Sequence, residues 1–148
     1  MVIFDHRLEK VPDTATWELP LTAEERSRTR YRFDKPGFPS LFIQLPRGSF
    51  LHPGDCLGSP TGETLAILAA TEPLLHVTSG DRLTLLKSAY HLGNRHVPLE
   101  VNLDYLRLAP DPVLADMLRG LGVSVAEITA PFFQNGALFT VIRMVFCS

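Results

Sequence analysis

The chain has 148 residues, 45% of them hydrophobic and 20% charged, with 14 Lys and Arg against 16 Asp and Glu. These proportions exclude an intrinsically disordered chain. The net charge of -2 argues against a sequence-independent grip on nucleic acid, which needs many cationic contacts, and leaves room only for a local patch. Divided at Glu72, the first part carries 8 cationic and 10 acidic side chains and the second carries 6 of each. Neither half is a charged module, and the length suits two compact domains of about 70 residues each.

Two cysteines, Cys56 and Cys147, lie far apart and form no C-x-x-C pair. They build neither a disulfide framework nor a thiolate metal site by themselves, and are read as idle thiols. Met1–Lys10 carries charge before any apolar core develops, unlike a secretory signal. The apolar run Ala137–Cys147 is too short to span a bilayer and contains Arg143. A soluble cytoplasmic protein with no membrane partner is expected.

In chain order, Arg26, Arg28, Arg30 and Arg32 alternate with Ser27, Thr29, Tyr31 and Phe33. That alternation predicts a strand with four cations on one solvated face. Leu41–Leu45 predicts a strand closed by the turn Pro46-Arg47-Gly48. Turns at Pro53-Gly54-Asp55 and Pro60-Thr61-Gly62 lead into the apolar run Leu65–Ala70. The expectation is a β-rich N-terminal domain over residues 1–72, without a helix.

After Pro73, Leu74–Val77 reads as a strand and Asp81–Leu92 as an amphipathic helix. Leu83, Leu85, Leu86, Ala89, Tyr90 and Leu92 fall on its apolar half, and Thr84, Lys87, Ser88 and His91 on its polar half. Gly93 is the expected left-handed stop. Val97–Val101 and Tyr105–Leu108 read as strands. Asp111 and Pro112 open a second helix with the stripe Leu114, Met117, Leu118 and Leu121, and Val123–Ile128 is the last strand. The order βαββαβ predicts a ferredoxin-like domain over residues 73–148, making the whole chain α+β. Residues 133–148 form an apolar tail with no role in that pattern.

Enzyme signatures are missing: no phosphate-binding Gly-Lys loop, no G-x-S-x-G elbow and no H-E-x-x-H. The expected central strands also lack the aromatic set with which sheets of this kind stack bases. The histidines His6, His52, His76, His91 and His96 remain. The first three stand alone and read as structural. His91 and His96 are five apart across a helix end, which is not the spacing for chelation within one chain. A residue near a two-fold axis is duplicated against its copy, however, and imidazole suits nickel, copper and zinc. Spacing alone leaves that possibility open.

The segment Ala89-Tyr90-His91-Leu92-Gly93-Asn94-Arg95-His96-Val97-Pro98-Leu99 resembles the signature of the UreE family of urease accessory proteins. Leu45-Pro46-Arg47-Gly48, Pro53-Gly54-Asp55, Asp116–Gly122 and Ala130-Pro131-Phe132 resemble further family segments in the same order. The resemblance implies a non-enzymatic metallochaperone that delivers Ni(II), with zinc or copper as substitutes, to apo-urease. It implies a homodimer through the C-terminal domains, nickel held by His96 of each chain, and His91 as a secondary candidate. The implied partners are apo-urease and its accessory proteins, including the urease GTPase. The alternative is an interaction module of the urease assembly complex with vestigial metal binding. Two departures from the family stand out: Pro110-Asp111-Pro112 occupies the place of extra histidines, and no histidine follows His96.

Overall fold

The computed structural model describes residues 1–134. The expectations for Cys147 and for the tail beyond Gln134 lie outside the described residues. The chain divides into two compact units between Ala70 and Thr71.

The first unit holds two sheets. Strands β1 (Val2–Phe4), β5 (Leu41–Gln44) and β4 (Arg30–Phe33) form one, in the order β1-β5-β4. Strands β2 (His6–Arg7), β6 (Cys56–Gly58), β7 (Thr64–Ala69) and β3 (Trp17–Leu21) form the other, in the order β2-β6-β7-β3. Alternate residues turn inward: Phe4, Leu41, Ile43 and Phe33 from the first sheet meet Leu19, Leu21, Leu57, Leu65 and Ile67 from the second. Turn residues Gly48, Gly54 and Gly62 take positive φ, a conformation a side chain would disfavour. Cys56 is buried, and burial pushes its thiol up, which keeps it protonated and unreactive.

The four-cation strand does not form. Thr22 and Glu25 make a reciprocal cap, Glu25 N–H to Thr22 Oγ1 at 3.3 Å and Thr22 N–H to Glu25 Oε1 at 3.0 Å. The cap nucleates helix α1 (Ala23–Arg26) ahead of β4. Arg26 is buried, donating from Nη1 to the Leu21 carbonyl at 2.7 Å. Arg28 pairs with Glu24 at 2.8 Å, and Arg32 with Asp34 at 3.0 Å. Only Arg30 and Arg32 lie on the strand.

The second unit is α+β and ferredoxin-like. Strand β8 (Thr71–Thr78), helix α2 (Arg82–Asn94), strands β9 (Glu100–Val101) and β10 (Leu106–Leu108), helix α3 (Pro112–Leu121) and strand β11 (Ser124–Pro131) follow in that order. The sheet is antiparallel in the order β11-β8-β10-β9. Glu72 and Pro73, expected between domains, are inside β8. One face of the sheet, with Leu75, Val77, Leu106 and Leu108, packs against Leu85 and Leu92 of α2 and Ala115 and Leu118 of α3.

The other face carries a polar row. Register places Glu100, Arg107, His76 and Ala126 side by side across the four strands. Glu100 is only 4% exposed, yet both its oxygens are used. Asn102 Nδ2 donates to Oε2 at 2.8 Å, and the Phe133 N–H donates to Oε1 at 2.8 Å. The chain leaving β11 is thereby tied to β9, on the opposite edge of the sheet. Replacing Glu100 by Ala strands both donors, at a cost of about 1–3 kcal/mol. Urea denaturation should show that loss, and the Phe133 amide should exchange faster with solvent. Glu100→Gln keeps one acceptor and should lose less. Unchanged Phe133 exchange in Glu100→Ala would count against the tie.

Candidate metal centre

Asp81 opens α2, its carboxylate accepting the Leu83 N–H at 3.3 Å and the Thr84 hydroxyl at 2.6 Å. The helix presents Leu85, Ser88 and Leu92 to the core. Ser88, expected on the polar half, is fully buried, and its hydroxyl donates to the Thr84 carbonyl at 2.9 Å, so no polar atom is stranded. Leu83, Leu86 and Tyr90, expected inside, are instead 57%, 67% and 66% exposed. At i, i+3 and i+7 these three share one outward face. The apolar residues of α2 thus belong to two faces, one buried in the unit and one that stays exposed among the described residues.

Gly93 does not stop the helix. It lies within α2, and Arg95 is the C-cap. The left-handed residue is His96, at φ 57°, the one non-glycine residue with positive φ among those described. His96 N–H donates to the Gly93 carbonyl at 3.0 Å and Val97 N–H to the Leu92 carbonyl at 3.2 Å. This is the Schellman pattern of paired bonds at a helix C-terminus. Helix α3 ends the same way, with Gly122 N–H to Arg119 at 3.0 Å and Val123 N–H to Leu118 at 3.4 Å. There the left-handed position is filled by glycine, at φ 99°. Two turns with the same hydrogen-bond pattern therefore place different residues in the left-handed position, histidine in one and glycine in the other.

His96 is exposed and His91 half-buried on the flank of α2. The His91 ring lies edge-on to Tyr90 with centroids 5.7 Å apart, and its carbonyl accepts from Arg95 Nη1 at 3.4 Å. Among the described residues no group of three or more His, Cys, Asp and Glu side chains is arranged to hold a metal ion. The described residues of one chain therefore offer imidazole donors but no closed site.

The remaining histidines have other neighbours. His6 Nδ1 lies 2.7 Å from Asp5, and the ring lies so close over Gly58 that any Cβ there would meet Nε2 at 2.6 Å. The His52 N–H donates to Asp55 at 2.8 Å. His76 Nδ1 accepts from Arg107 Nε at 3.2 Å, and its ring is 4.8 Å from that of Tyr105. Burial first, and the Arg107 cation second, hold the His76 pKa below its ordinary 6.5, while the Glu100 carboxylate opposes them. The folded state thus favours neutral His76. Its contribution to stability is complete above the ordinary value and is lost as pH falls through the lower folded value. Melting at pH 5 should therefore fall below melting at pH 7, and His76→Gln should shrink that difference. An equal pH dependence in parent and variant would assign it to other groups.

The left-handed histidine carries a steric cost of about 1 kcal/mol. His96→Gly removes it and should raise the denaturation midpoint relative to His96→Ala, which keeps a Cβ in the same conformation. Equal midpoints for the two variants would show that the turn relaxes freely.

Comparison with known proteins matches both units. The family model described as UreE urease accessory protein, N-terminal domain, covers residues 4–70, and that for the C-terminal domain covers residues 72–139. Urease accessory protein UreE of Microcystis aeruginosa is 54% identical over 121 residues, 82% of this chain and 77% of the relative. That of Nitrosococcus oceani is 47% identical over 133 residues, 89% and 78% of the two chains. That of a Nostoc species is 46% identical over 123 residues, 82% and 84%. No helix among the described residues is long and apolar enough to cross a membrane. With both units matched and relatives this similar over most of its length, the chain belongs to the UreE family of urease accessory proteins.

Proposed function

We propose that this chain is a cytoplasmic, non-enzymatic carrier that hands Ni(II) to apo-urease during urease maturation. The observation that carries the reading is the left-handed His96, an exposed imidazole on a hydrogen-bonded turn at the end of the helix that carries an exposed apolar face. Leu83, Leu86 and Tyr90 form an exposed apolar stripe on the helix that leads into His96. A second copy of the same stripe is the simplest cover for it. A two-fold axis near the C-terminus of α2 brings His96 of each chain to one metal ion. Two imidazoles leave most of nickel's coordination positions to water or to a recipient's ligands, which favours transfer over retention. Zinc and copper suit the same donors. His91, one turn earlier and partly shielded by Tyr90, is the secondary ligand.

The recipient in this reading is the complex of apo-urease with its accessory proteins, including the urease GTPase. Its support is the name that the relatives carry, urease accessory protein. Pro110-Asp111-Pro112 supplies no histidine ahead of α3, so capacity is about one nickel per dimer, the minimum that a shared two-fold site provides.

Equilibrium dialysis and light scattering test the reading together. The parent should be a dimer that takes up about one nickel. His96→Ala should remain a dimer and lose nickel, and His91→Ala should weaken uptake less. Leu86→Glu should separate the protomers and abolish uptake with them. Lowering the pH should release the ion, since only neutral imidazole ligates. A monomer that binds nickel as the parent does would overturn the shared site.

A further inference from the structure

One face of the sheet β11-β8-β10-β9 packs against α2 and α3, and the other carries three side chains in mutual contact. Alternation along the strands sets Tyr105, just before β10, and Arg107 within it on that second face, together with His76 of β8. The Arg107 guanidinium carbon lies 4.5 Å from the Tyr105 ring centroid, and the Tyr105 and His76 ring centroids are 4.8 Å apart. Arg107 Nε closes the triangle by donating to His76 Nδ1 at 3.2 Å. Arg107 and His76 are both half-buried. Towards β11, His76 is flanked by Ala126 and Thr78 by Ser124, both exposed. Neither is long enough to cover the cluster from that side.

A half-buried cation calls for an anion, and Arg107 has a carboxylate beside it in register, that of Glu100. Both Glu100 oxygens are spent on neutral donors, however, the Asn102 amide and the Phe133 N–H. Arg107 makes no ion pair among the described residues, and its Nη1 and Nη2 donate to none of them. What holds the guanidinium is a neutral acceptor and a ring. His76 accepts at Nδ1, so its imidazole is neutral and carries its proton on Nε2. Burial and the Arg107 cation both favour that neutral form. The guanidinium is thus fixed at Nε and over the Tyr105 ring, with its terminal edge free. That edge matches the paired oxygens of a carboxylate or a phosphate. Charge decides between them. Phosphate carries more than one negative charge near pH 7 and is repelled by Glu100 on the neighbouring strand, whereas one carboxylate matches one guanidinium. We propose that Arg107, held by His76 and Tyr105 on the open sheet face, is a binding site for a singly charged carboxylate, from a small acid or an acidic protein side chain.

NMR of the full chain at pH 7, read at the His76 ring and the Arg107 Nε–H, tests the site. Sodium acetate should shift both signals along a saturating curve, and sodium chloride at equal ionic strength should not. Arg107→Gln removes the charge and should abolish the His76 shift. Arg107→Lys keeps the charge without the fork and should weaken acetate binding about tenfold. Tyr105→Leu leaves the arginine in place, removes the ring that fixes it, and should weaken binding about threefold even if the arginine variants fail to fold. Glutamate blocked at both backbone ends separates the two sources. Tighter binding of the blocked glutamate assigns a protein side chain, and tighter binding of acetate assigns a small acid. The cluster includes neither His91 nor His96, so nickel uptake by Arg107→Gln should match the parent. A shift that never saturates, an equal shift in chloride or in Arg107→Gln, or tighter binding of phosphate than of acetate would overturn the proposal.

Discussion

Leu92 joins the two things that the second unit must do at the end of α2. Its side chain is fully buried among Leu75, Val77 and Leu106, which fixes the helix on the sheet. Its carbonyl accepts from Arg95 N–H at 3.1 Å and from Val97 N–H at 3.2 Å, which fixes how the chain leaves the helix. Core packing and turn geometry thus meet in one residue, and His96 lies between its two backbone partners. The position of the candidate ligand follows from apolar burial, not from contacts of its own ring. The outward stripe of α2 follows from the same anchoring, because a helix held by Leu85, Ser88 and Leu92 must turn Leu83, Leu86 and Tyr90 away.

The first unit relies on a buried cation in a comparable way. Arg26 ends α1, and its Nη1 satisfies the Leu21 carbonyl while its own carbonyl receives the Leu51 N–H. A side chain of that length spans the distance between β3 and the loop before β6 while keeping its charge hydrogen-bonded. A hydrophobic residue could fill the volume, but the Leu21 carbonyl would then keep only the Ala70 N–H, at 2.9 Å, as a donor.

The βαββαβ order was legible because strand and helix periods differ clearly and Asp81, Asp111 and Pro112 mark helix starts. Which face of α2 turned inward was not legible. Leucines on both sides of a helix satisfy an apolar-half pattern with either side buried, and Ser88 enters the core by bonding to its own preceding turn. Residue type also misled at the helix end. Glycine is the usual left-handed residue, so Gly93 drew the stop that His96 makes. The arginine alternation hid a capping box, Thr22-x-x-Glu25, that was present in the sequence and would have identified α1. Glu100 gave no local signal, since its partner Phe133 lies 33 residues further on. Its role depends on where the chain goes after β11, which no short window encodes.

The edges of the three sheets bear on how copies of this chain can meet. An open strand edge invites addition of another strand, and repeated addition builds fibres. Among the described residues the edge strands β2 and β9 are two residues long and β1 three, β4 carries Arg30 and Arg32, β3 contains Pro20, and β11 carries Glu127 and ends at Pro131. Short length, charge and missing N–H groups each discourage strand addition. Association is thereby steered from backbone edges to side-chain faces such as that of α2. A side-chain face that matches itself across a two-fold axis closes on one partner and is then used up. Edge geometry of this kind favours a small, finite assembly over open-ended growth.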